Sequence, residues 1–356
     1  MNERDSGIMI RTLIVQAASN PSGLDDRLFA DTAIQIASTQ GRLNGLRPLT
    51  GTREGLDAID PLPETAFKMM TVATFPPSEA VAEFLTSGTT SGNRGRLLVR
   101  DMDLYRLSAV EGFRLFAMYG EAPRRFLSLI PGASARPTSS LSWMADFVAG
   151  AFDDTGGRFV AADGTLDGGL VLDALARSRR TGEPLFLLGT SLDFLALFDF
   201  LASTNNAPIP APGSRMMHTG GAKASGREIT REDLRERAGA LLGIREEDVI
   251  EEFGMTELFS QAYDSPVVTP GPRRLVPVPW MRTRVLDPRT LTDVPDGARG
   301  QLVHYDLANI DTCIALIAAD TAIRIDNGFA GISRSAGAAT RGCSHEAAAS
   351  VTEWRT

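Results

Sequence analysis

The sequence predicts an α/β protein with parallel or mixed sheets flanked by helices and a smaller β-rich part towards its C-terminal end. Two observations lead to this fold class. Over the middle of the chain, short apolar runs typical of buried strands alternate with longer segments of helical periodicity. Beyond residue 266 the pattern changes to short β-like runs joined by a turn rich in Asp, Pro and Gly.

The predicted elements run from a helical entry segment to a final hairpin. The first 80 residues have mainly helical spacing, as in "RLFADTAIQIAST", and "DLYRLSAVEGFRLFAMYG" predicts a further helix. The runs "RFLSLIPG", "PLFLLGT", "SRMMHTGG" and "DVIEEFG" predict successive strands, with intervening helices at about Leu141–Phe152, after a cap at Ser191, and at about Thr230–Leu242. We expect residues 1–266 to form the α/β core and residues 267–356 a subdomain in which "MRTRVLD" and "QLVHYDL" pair.

Composition narrows the classes of function. The net charge of −8 and the pI of about 5.1 exclude the basic footprint that nucleic-acid binding needs. No apolar run approaches the roughly 20 residues of a membrane-spanning helix, and the acidic start "MNERDSGIMIRTLIV" has no cleavage pattern for secretion, so we predict a cytoplasmic protein. Cys313 and Cys343, the only two cysteines, make no disulfide framework. Lysine is also rare, since only Lys68 and Lys223 occur among 36 basic residues.

The stretch "FLTSGTTSGNRGR", Phe84 to Arg96, places hydroxyl residues and glycines between two apolar runs. Glycines let successive backbone N–H groups face one concavity, and Ser and Thr add uncharged donors, which together suit a phosphate group. The stretch is not a Walker A loop, because no Gly-Lys-Ser/Thr follows at the required spacing. A surface turn is the alternative.

Two more stretches stand at predicted strand ends, where α/β sheets bind ligands. They are "HTGGAK", His218 to Lys223, and "EEFGMTEL", Glu251 to Leu258. In the second, Thr256 can donate to a phosphate and Glu257 can hold a magnesium ion. The plainer interpretations are a glycine turn in the first stretch and a helix-start carboxylate in the second.

In this order and spacing, "TSGTTSGNRG", "GGA" and "FGMTE" resemble the nucleotide motifs of the adenylate-forming superfamily. The segment "AADTAIRIDNGFAGISRSAGAATRGCS" makes the chain similar to the acyl-protein synthetase (LuxE) family, over about Phe84 to Ser344. The resemblance implies ATP and Mg²⁺, with Thr256 on the α-phosphate, Glu257 on the metal, Asp320 on the ribose and Arg334 near the nucleotide. The residues that it implies for the phosphates are Thr86, Ser87, Gly88, Thr89 and Thr90, and those against adenine are Gly220, Gly221 and Ala222.

Two departures from the family accompany the resemblance. The phosphate loop lacks the family's lysine, for which Arg94 or Arg96 would supply the charge, although a guanidinium does not replace an ammonium in every respect. Full-length adenylate-forming enzymes carry a C-terminal lid domain with a catalytic lysine, and we expect this chain to lack both, as the resemblance to the acyl-protein synthetase branch implies.

The predicted reaction is attack of a carboxylate on the α-phosphate of ATP, which gives an acyl-adenylate. Cys343, in "RGCSHE", is a candidate first acceptor of the acyl group, which would then pass to a protein or another thiol. The alternative is that Cys343 is an inert thiol. The resemblance implies a fatty acid as the substrate, or alternatively an aromatic acid of antibiotic or phenazine-like biosynthesis. A nucleotide- or acyl-binding protein with impaired catalysis is a third hypothesis. We expect Cys313 to belong to the core and His218 to be either structural or part of the acid pocket.

Overall fold

The computed structural model describes residues 3–44, 49, 53–86, 94–123, 125–159, 166–220, 223–224 and 227–334. The helices are α1 (Glu3–Ser19), α2 (Asp26–Asn44), α3 (Ala66–Met69), α4 (Met102–Ala117), α5 (Ser140–Phe152), α6 (Gly168–Thr181), α7 (Ser191–Ser203) and α8 (Arg231–Leu242). The strands are β1 (Leu62–Pro63), β2 (Ala82–Leu85), β3 (Arg96–Val99), β4 (Arg125–Ser128), β5 (Arg158–Phe159), β6 (Leu185–Thr190), β7 (Arg215–Thr219), β8 (Lys223–Ala224), β9 (Arg227–Glu228), β10 (Val249–Phe253), β11 (Ala262–Asp264), β12 (Val276–Pro277), β13 (Met281–Leu286), β14 (Arg299–Asp306), β15 (Ala315–Ile325) and β16 (Gly328–Arg334).

The chain divides into two units, and neither is one continuous segment. The first unit comprises Met1–Glu111, Met255–Gln261 and Val276–Thr356, and the second comprises Gly112–Gly254 and Ala262–Leu275. The domain boundary predicted after residue 266 stays a prediction. None of the helices in the described ranges combines the length and the apolar sequence that crossing a membrane requires.

The second unit is built on a mostly parallel sheet. Six of its strands follow in the order β11-β10-β7-β6-β4-β5, in which only β11 runs antiparallel to its neighbour. Helices α6, α7 and α8 pack their apolar side chains on the face that carries Leu127, Leu187 and Met216. Phe113 of α4 contacts Phe126 and Phe186 on the opposite face. Buried strands with helices on both faces confirm the predicted α/β class.

The start of α7 shows where a local prediction was wrong. Ser191 was expected to cap this helix, but the cap is Thr190, whose hydroxyl accepts a hydrogen bond from the N–H of Asp193. The Asp193 carboxylate accepts a bond from the N–H of Thr190 in return, which completes a capping box. The acidic residue three positions after Thr190 therefore decides between the two adjacent hydroxyl residues.

The first unit contains a five-stranded sheet in which β1, β15, β14 and β13 are neighbours and β16 pairs with β15. Strands β13 and β14 are antiparallel, from Met281 opposite Asp306 to Leu286 opposite Gln301, which confirms the predicted hairpin. The same unit contains a chain of three aromatic side chains, in which Tyr105 of α4 makes edge-to-face contacts at 5.3 Å with both Phe84 of β2 and Phe259. This chain connects the strand before the Ser/Thr/Gly loop with the segment that follows Glu257.

Candidate active site

The Ser/Thr/Gly loop is held at its base by a short hairpin in the first unit. Strands β2 and β3 are antiparallel as far as Leu85 opposite Arg96. The N–H of Thr86 donates to the carbonyl of Gly95 at 3.0 Å, and the N–H of Gly95 donates to the Thr86 hydroxyl at 2.8 Å. The two ends of the loop are thus fixed by one residue pair. Four predicted phosphate ligands lie outside the described residues, namely Ser87, Gly88, Thr89 and Thr90.

The two arginines beside the loop form hydrogen bonds and an ion pair with residues of this hairpin. Arg94 donates from Nε to the carbonyl of Thr86 at 2.5 Å and from Nη2 to that of Leu85 at 3.1 Å. Arg96 forms an ion pair with Glu83 across β2 and β3. Both guanidinium groups therefore have partners at the base of the loop, and their role in place of the family's lysine stays a prediction.

Thr256 and Glu257 occupy the two central positions of a tight turn. The turn is closed by the N–H of Leu258, which donates to the carbonyl of Met255 at 3.1 Å. The side-chain amide of Asn309 donates to the carbonyl of Glu257 at 2.8 Å. Asn309 is fully buried, so it fixes this turn from the inside of the first unit.

Asp306 fixes the segment that follows the turn. Its carboxylate accepts hydrogen bonds from the N–H groups of Phe259 and Ser260 at 2.8 and 2.9 Å, and from the Ser260 hydroxyl at 2.6 Å. A fourth bond comes from the N–H of Ala308 at 3.0 Å. Burial raises the pKa of Asp306 to about 6, against the effect of these donors.

The loop and the Glu257 turn meet at Gly95. A Cβ atom built on Gly95 would lie 2.9 Å from Thr86 Cγ2 and 3.5 Å from Glu257 Oε1. The absence of a side chain at Gly95 therefore lets the base of the loop lie directly against the Glu257 carboxylate. The base of the loop and the Glu257 turn therefore lie close together in the first unit, and a site shared by the whole loop and Glu257 stays a prediction.

Glu257 is an unusual carboxylate because it is only 5% exposed and forms no ion pair within the described ranges. Burial, and next the negative charge of Glu64, raise its pKa to about 7, while a bond from its own N–H and the charges of Lys68 and Arg334 act in the opposite direction. A cation placed beside this carboxylate would relieve both effects. No group of three or more His, Cys, Asp or Glu side chains suited to a metal ion occurs in the described part of the chain.

Asp320 and Arg334, the residues predicted for the ribose and the nucleotide, face each other across β15 and β16. Arg334 Nε lies 3.8 Å from Asp320 Oδ1, and Arg334 Nη2 donates to Glu64 Oε1 at 3.2 Å. Burial raises the pKa of Asp320, which Arg334 lowers and Glu64 raises. The structure therefore brings Asp320 and Arg334 together and adds Glu64 to them.

Sequence reasoning missed two charged residues that act on the pKa of Glu257, namely Glu64 and Lys68. Glu64 is 6% exposed and directly follows β1, and Lys68 lies four residues further on in α3. The signal that was available is the scarcity of lysine: one of only two in the chain stands four residues after a glutamate.

Gly220 belongs to the second unit, where it follows β7 with φ of +82°, a left-handed conformation suited to glycine. His218 is 3% exposed, its Nδ1 lies 3.2 Å from the Ser191 hydroxyl, and burial lowers its pKa to about 4, which favours the structural interpretation. Gly221, Ala222 and Cys343 lie outside the described residues.

Cys313 belongs to the core of the first unit, as predicted. Its thiol donates to the carbonyl of Ala315, and burial raises its pKa to about 12.

A family model described as acyl-protein synthetase, LuxE, matches residues 50–346 of the chain. No curated protein matches the sequence. Among solved structures, an open conformation of 2-hydroxyisobutyryl-CoA ligase in complex with 2-HIB-AMP and CoA is similar with a TM-score of 0.60 at 15% identity. That alignment covers 85% of this chain and 71% of the other.

Two further solved structures are similar over 73% of this chain. ATP-bound MatB from Rhodopseudomonas palustris has a TM-score of 0.50 at 17% identity, with 49% of that chain covered. The long-chain-fatty-acid-CoA ligase FadD1 from Archaeoglobus fulgidus has a TM-score of 0.51 at 14% identity, with 52% covered. The present chain thus spans about half the length of these two ligases. Identities this low show a shared fold.

Proposed function

Because the chain belongs to the LuxE acyl-protein synthetase family, and with it to the ATP-dependent acid ligases, we propose that it activates a carboxylic acid as an acyl-adenylate. A carboxylate oxygen of the acid bonds to the α-phosphorus of ATP, and the bond from that phosphorus to the bridging oxygen breaks, so that pyrophosphate leaves. The observation that carries this proposal is the closure of the Thr86–Gly95 loop base against the buried carboxylate of Glu257.

The proposed roles follow the motifs. Glu257 would hold Mg²⁺. A single protein carboxylate is sufficient for this metal, because Mg²⁺ keeps several waters and takes one or two protein carboxylates together with the phosphates. Bound there, the metal would neutralise phosphate charge. Glu64 is less suited as a ligand, because both of its oxygens already accept hydrogen bonds. The remaining residues proposed for ATP are Thr86, Ser87, Gly88, Thr89, Thr90, Gly220, Gly221, Ala222, Thr256, Asp320 and Arg334.

Catalysis in this site would consist mainly of positioning and charge stabilisation. Thr256 and Glu257 are presented by one turn, and that turn is held by Asn309 and by the neighbouring contacts of Asp306. A buried, hydrogen-bonded support of this kind fixes where a phosphate oxygen and a metal would sit.

We propose that the acyl group then passes to a thiol, with Cys343 as the first acceptor. The thiolate sulfur bonds to the acyl carbon, the bond from that carbon to the adenylate oxygen breaks, and AMP leaves. A protein thiol would take the acyl group next. We also propose a cytoplasmic location, where Cys313 and Cys343 would stay reduced.

The acid is proposed to be a fatty acid, with an aromatic acid as the second candidate. The family description, acyl-protein synthetase, supports the fatty-acid candidate. The solved structures with this fold include ligases named for acids as different as 2-hydroxyisobutyrate and long-chain fatty acids, so the fold does not choose between the two.

Acid-dependent exchange of labelled pyrophosphate into ATP tests the activation step. A panel of fatty, aromatic and amino acids should show exchange with one class, and Glu257→Gln should abolish it while the exposed control Glu54→Gln does not. ATP binding without exchange for any acid would instead favour a binding protein with impaired catalysis. In Cys343→Ser, exchange should persist while the labelled acyl group is no longer retained; unchanged retention would remove Cys343 from the mechanism.

A further inference from the structure

Glu64 is fixed from three sides by the hairpin of β15 and β16. Its main-chain N–H donates to the carbonyl of Ile317 at 3.0 Å, and its Oε2 accepts a hydrogen bond from the N–H of Ala319 at 3.0 Å. Its Oε1 accepts the bond from Arg334 at 3.2 Å. Both carboxylate oxygens therefore have partners on the strand pair that carries Asp320.

Arg334 is otherwise a surface residue, with 73% of its side chain exposed. It ends β16, where an arginine side chain would sample many rotamers. The bond to Glu64 at one edge of the guanidinium, with Asp320 at 3.8 Å from Nε, restricts that sampling. The guanidinium retains N–H groups that neither carboxylate engages.

Anchoring of the segment after β1 does not require the Glu64 carboxylate. Strand β1 already pairs with β15 through Leu62 opposite Leu316 and Pro63 opposite Ile317, which anchors the segment without any charge. Glu64 instead adds a buried carboxylate beside Glu257 and Asp320, and its charge raises the pKa of both. Carboxylates gathered in this way are frequent at functional sites.

We propose that Glu64 is a positioning residue of the nucleotide site, which holds the Arg334 guanidinium beside Asp320 to contact the anionic nucleotide. This inference rests on the proposed function. A preformed guanidinium binds an anion more tightly than one that must be ordered on binding. Glu64 would therefore act on ATP affinity through Arg334.

A double-mutant cycle separates this role from a general loss of structure. The affinity for ATP with Mg²⁺ would be measured by isothermal titration calorimetry for the wild type, Glu64→Gln, Arg334→Ala and the double variant, each with its melting temperature. We expect Glu64→Gln to weaken ATP binding about five- to tenfold, in the range of a lost charge-assisted hydrogen bond. In the Arg334→Ala background the same change should have less than about a twofold effect.

Arg284 offers a matched control in the same unit, because it too is held between two carboxylates, Asp57 at 2.5 Å and Asp293 at 2.7 Å. Asp57→Asn should leave ATP affinity unchanged. Should Glu64→Gln not fold, Glu64→Asp keeps the charge, shortens the reach to Arg334 and should weaken binding several-fold.

The outcomes distinguish the inference from the proposed function. Unchanged ATP affinity in Glu64→Gln, or an equal loss with and without Arg334, would overturn the positioning role and leave the proposed function standing. A wild-type protein that does not bind ATP would overturn both.

Discussion

Replacing Glu257 by glutamine should remove a defined pH dependence of stability. In the unfolded chain this carboxyl has its ordinary pKa of 4.5, whereas in the folded protein burial and the charge of Glu64 raise the pKa to about 7. Between these values the folded state binds one more proton than the unfolded state, so the free energy of unfolding falls as pH rises. At about 1.4 kcal/mol for each pH unit, the interval corresponds to about 3 kcal/mol.

The contribution of protonated Glu257 is thus fully present below pH 4.5 and is lost as pH rises through about 7. The measurement is urea unfolding of the wild type and Glu257→Gln at several pH values between about 4.5 and 8. The unfolding is followed by the fluorescence of Trp280. This side chain is fully buried in the same unit, and its Nε1 donates to the Ser108 hydroxyl at 2.8 Å.

Relative to the variant, the wild type should lose about 3 kcal/mol over this range. Other buried carboxyls titrate in both proteins and cancel in the difference. The exposed control Glu54→Gln should show a difference that does not change with pH. A wild-type advantage that is constant, or that grows as pH rises, would refute the reasoning about Glu257.

Two substitutions at the site and one labelling experiment on the core give three further predictions. Asp306→Asn replaces two acceptor oxygens by one and should lower the free energy of unfolding by about 3 kcal/mol in the same urea assay; a loss below about 1 kcal/mol would contradict it. Gly95→Ala places a Cβ 2.9 Å from Thr86 Cγ2 and should weaken ATP binding about tenfold, whereas Gly239→Ala, whose Cβ meets nothing nearer than 3.6 Å, should not; equal calorimetric affinities would contradict the close approach. Iodoacetamide should leave Cys313 unlabelled in the native protein, because burial raises its pKa to about 12, and label it after unfolding; mass spectrometry of a native sample with labelled Cys313 would show the opposite.

The sequence was informative wherever the determinant is local. The apolar run "LFLLGT" is strand β6, and the hairpin of β13 and β14 lies where its turn residues predicted it. Motif residues at strand ends were likewise visible, since the end of an apolar run marks the edge of a sheet. Asp320 and Arg334 were found by resemblance, and they do face each other.

Determinants that join distant segments could not be found in this way. The bond between Glu64 and Arg334 spans 270 positions, and nothing near Glu64 marks it as part of a site. Arg94 or Arg96 was expected to supply charge in place of a lysine, and the sequence did not show that carbonyl groups and Glu83 contact these side chains once β2 and β3 pair. Pairing of this kind depends on the assembled structure.

The discontinuous first unit has a consequence for the nascent protein. On the ribosome, Gly112–Gly254 and Ala262–Leu275 emerge before the last segment of the first unit, so the second unit can fold during translation. Strands β15 and β16, with Asp320 and Arg334, leave the exit tunnel after it. Glu64 is synthesised 270 residues before Arg334, so the bond between them forms only after the second unit has been able to fold.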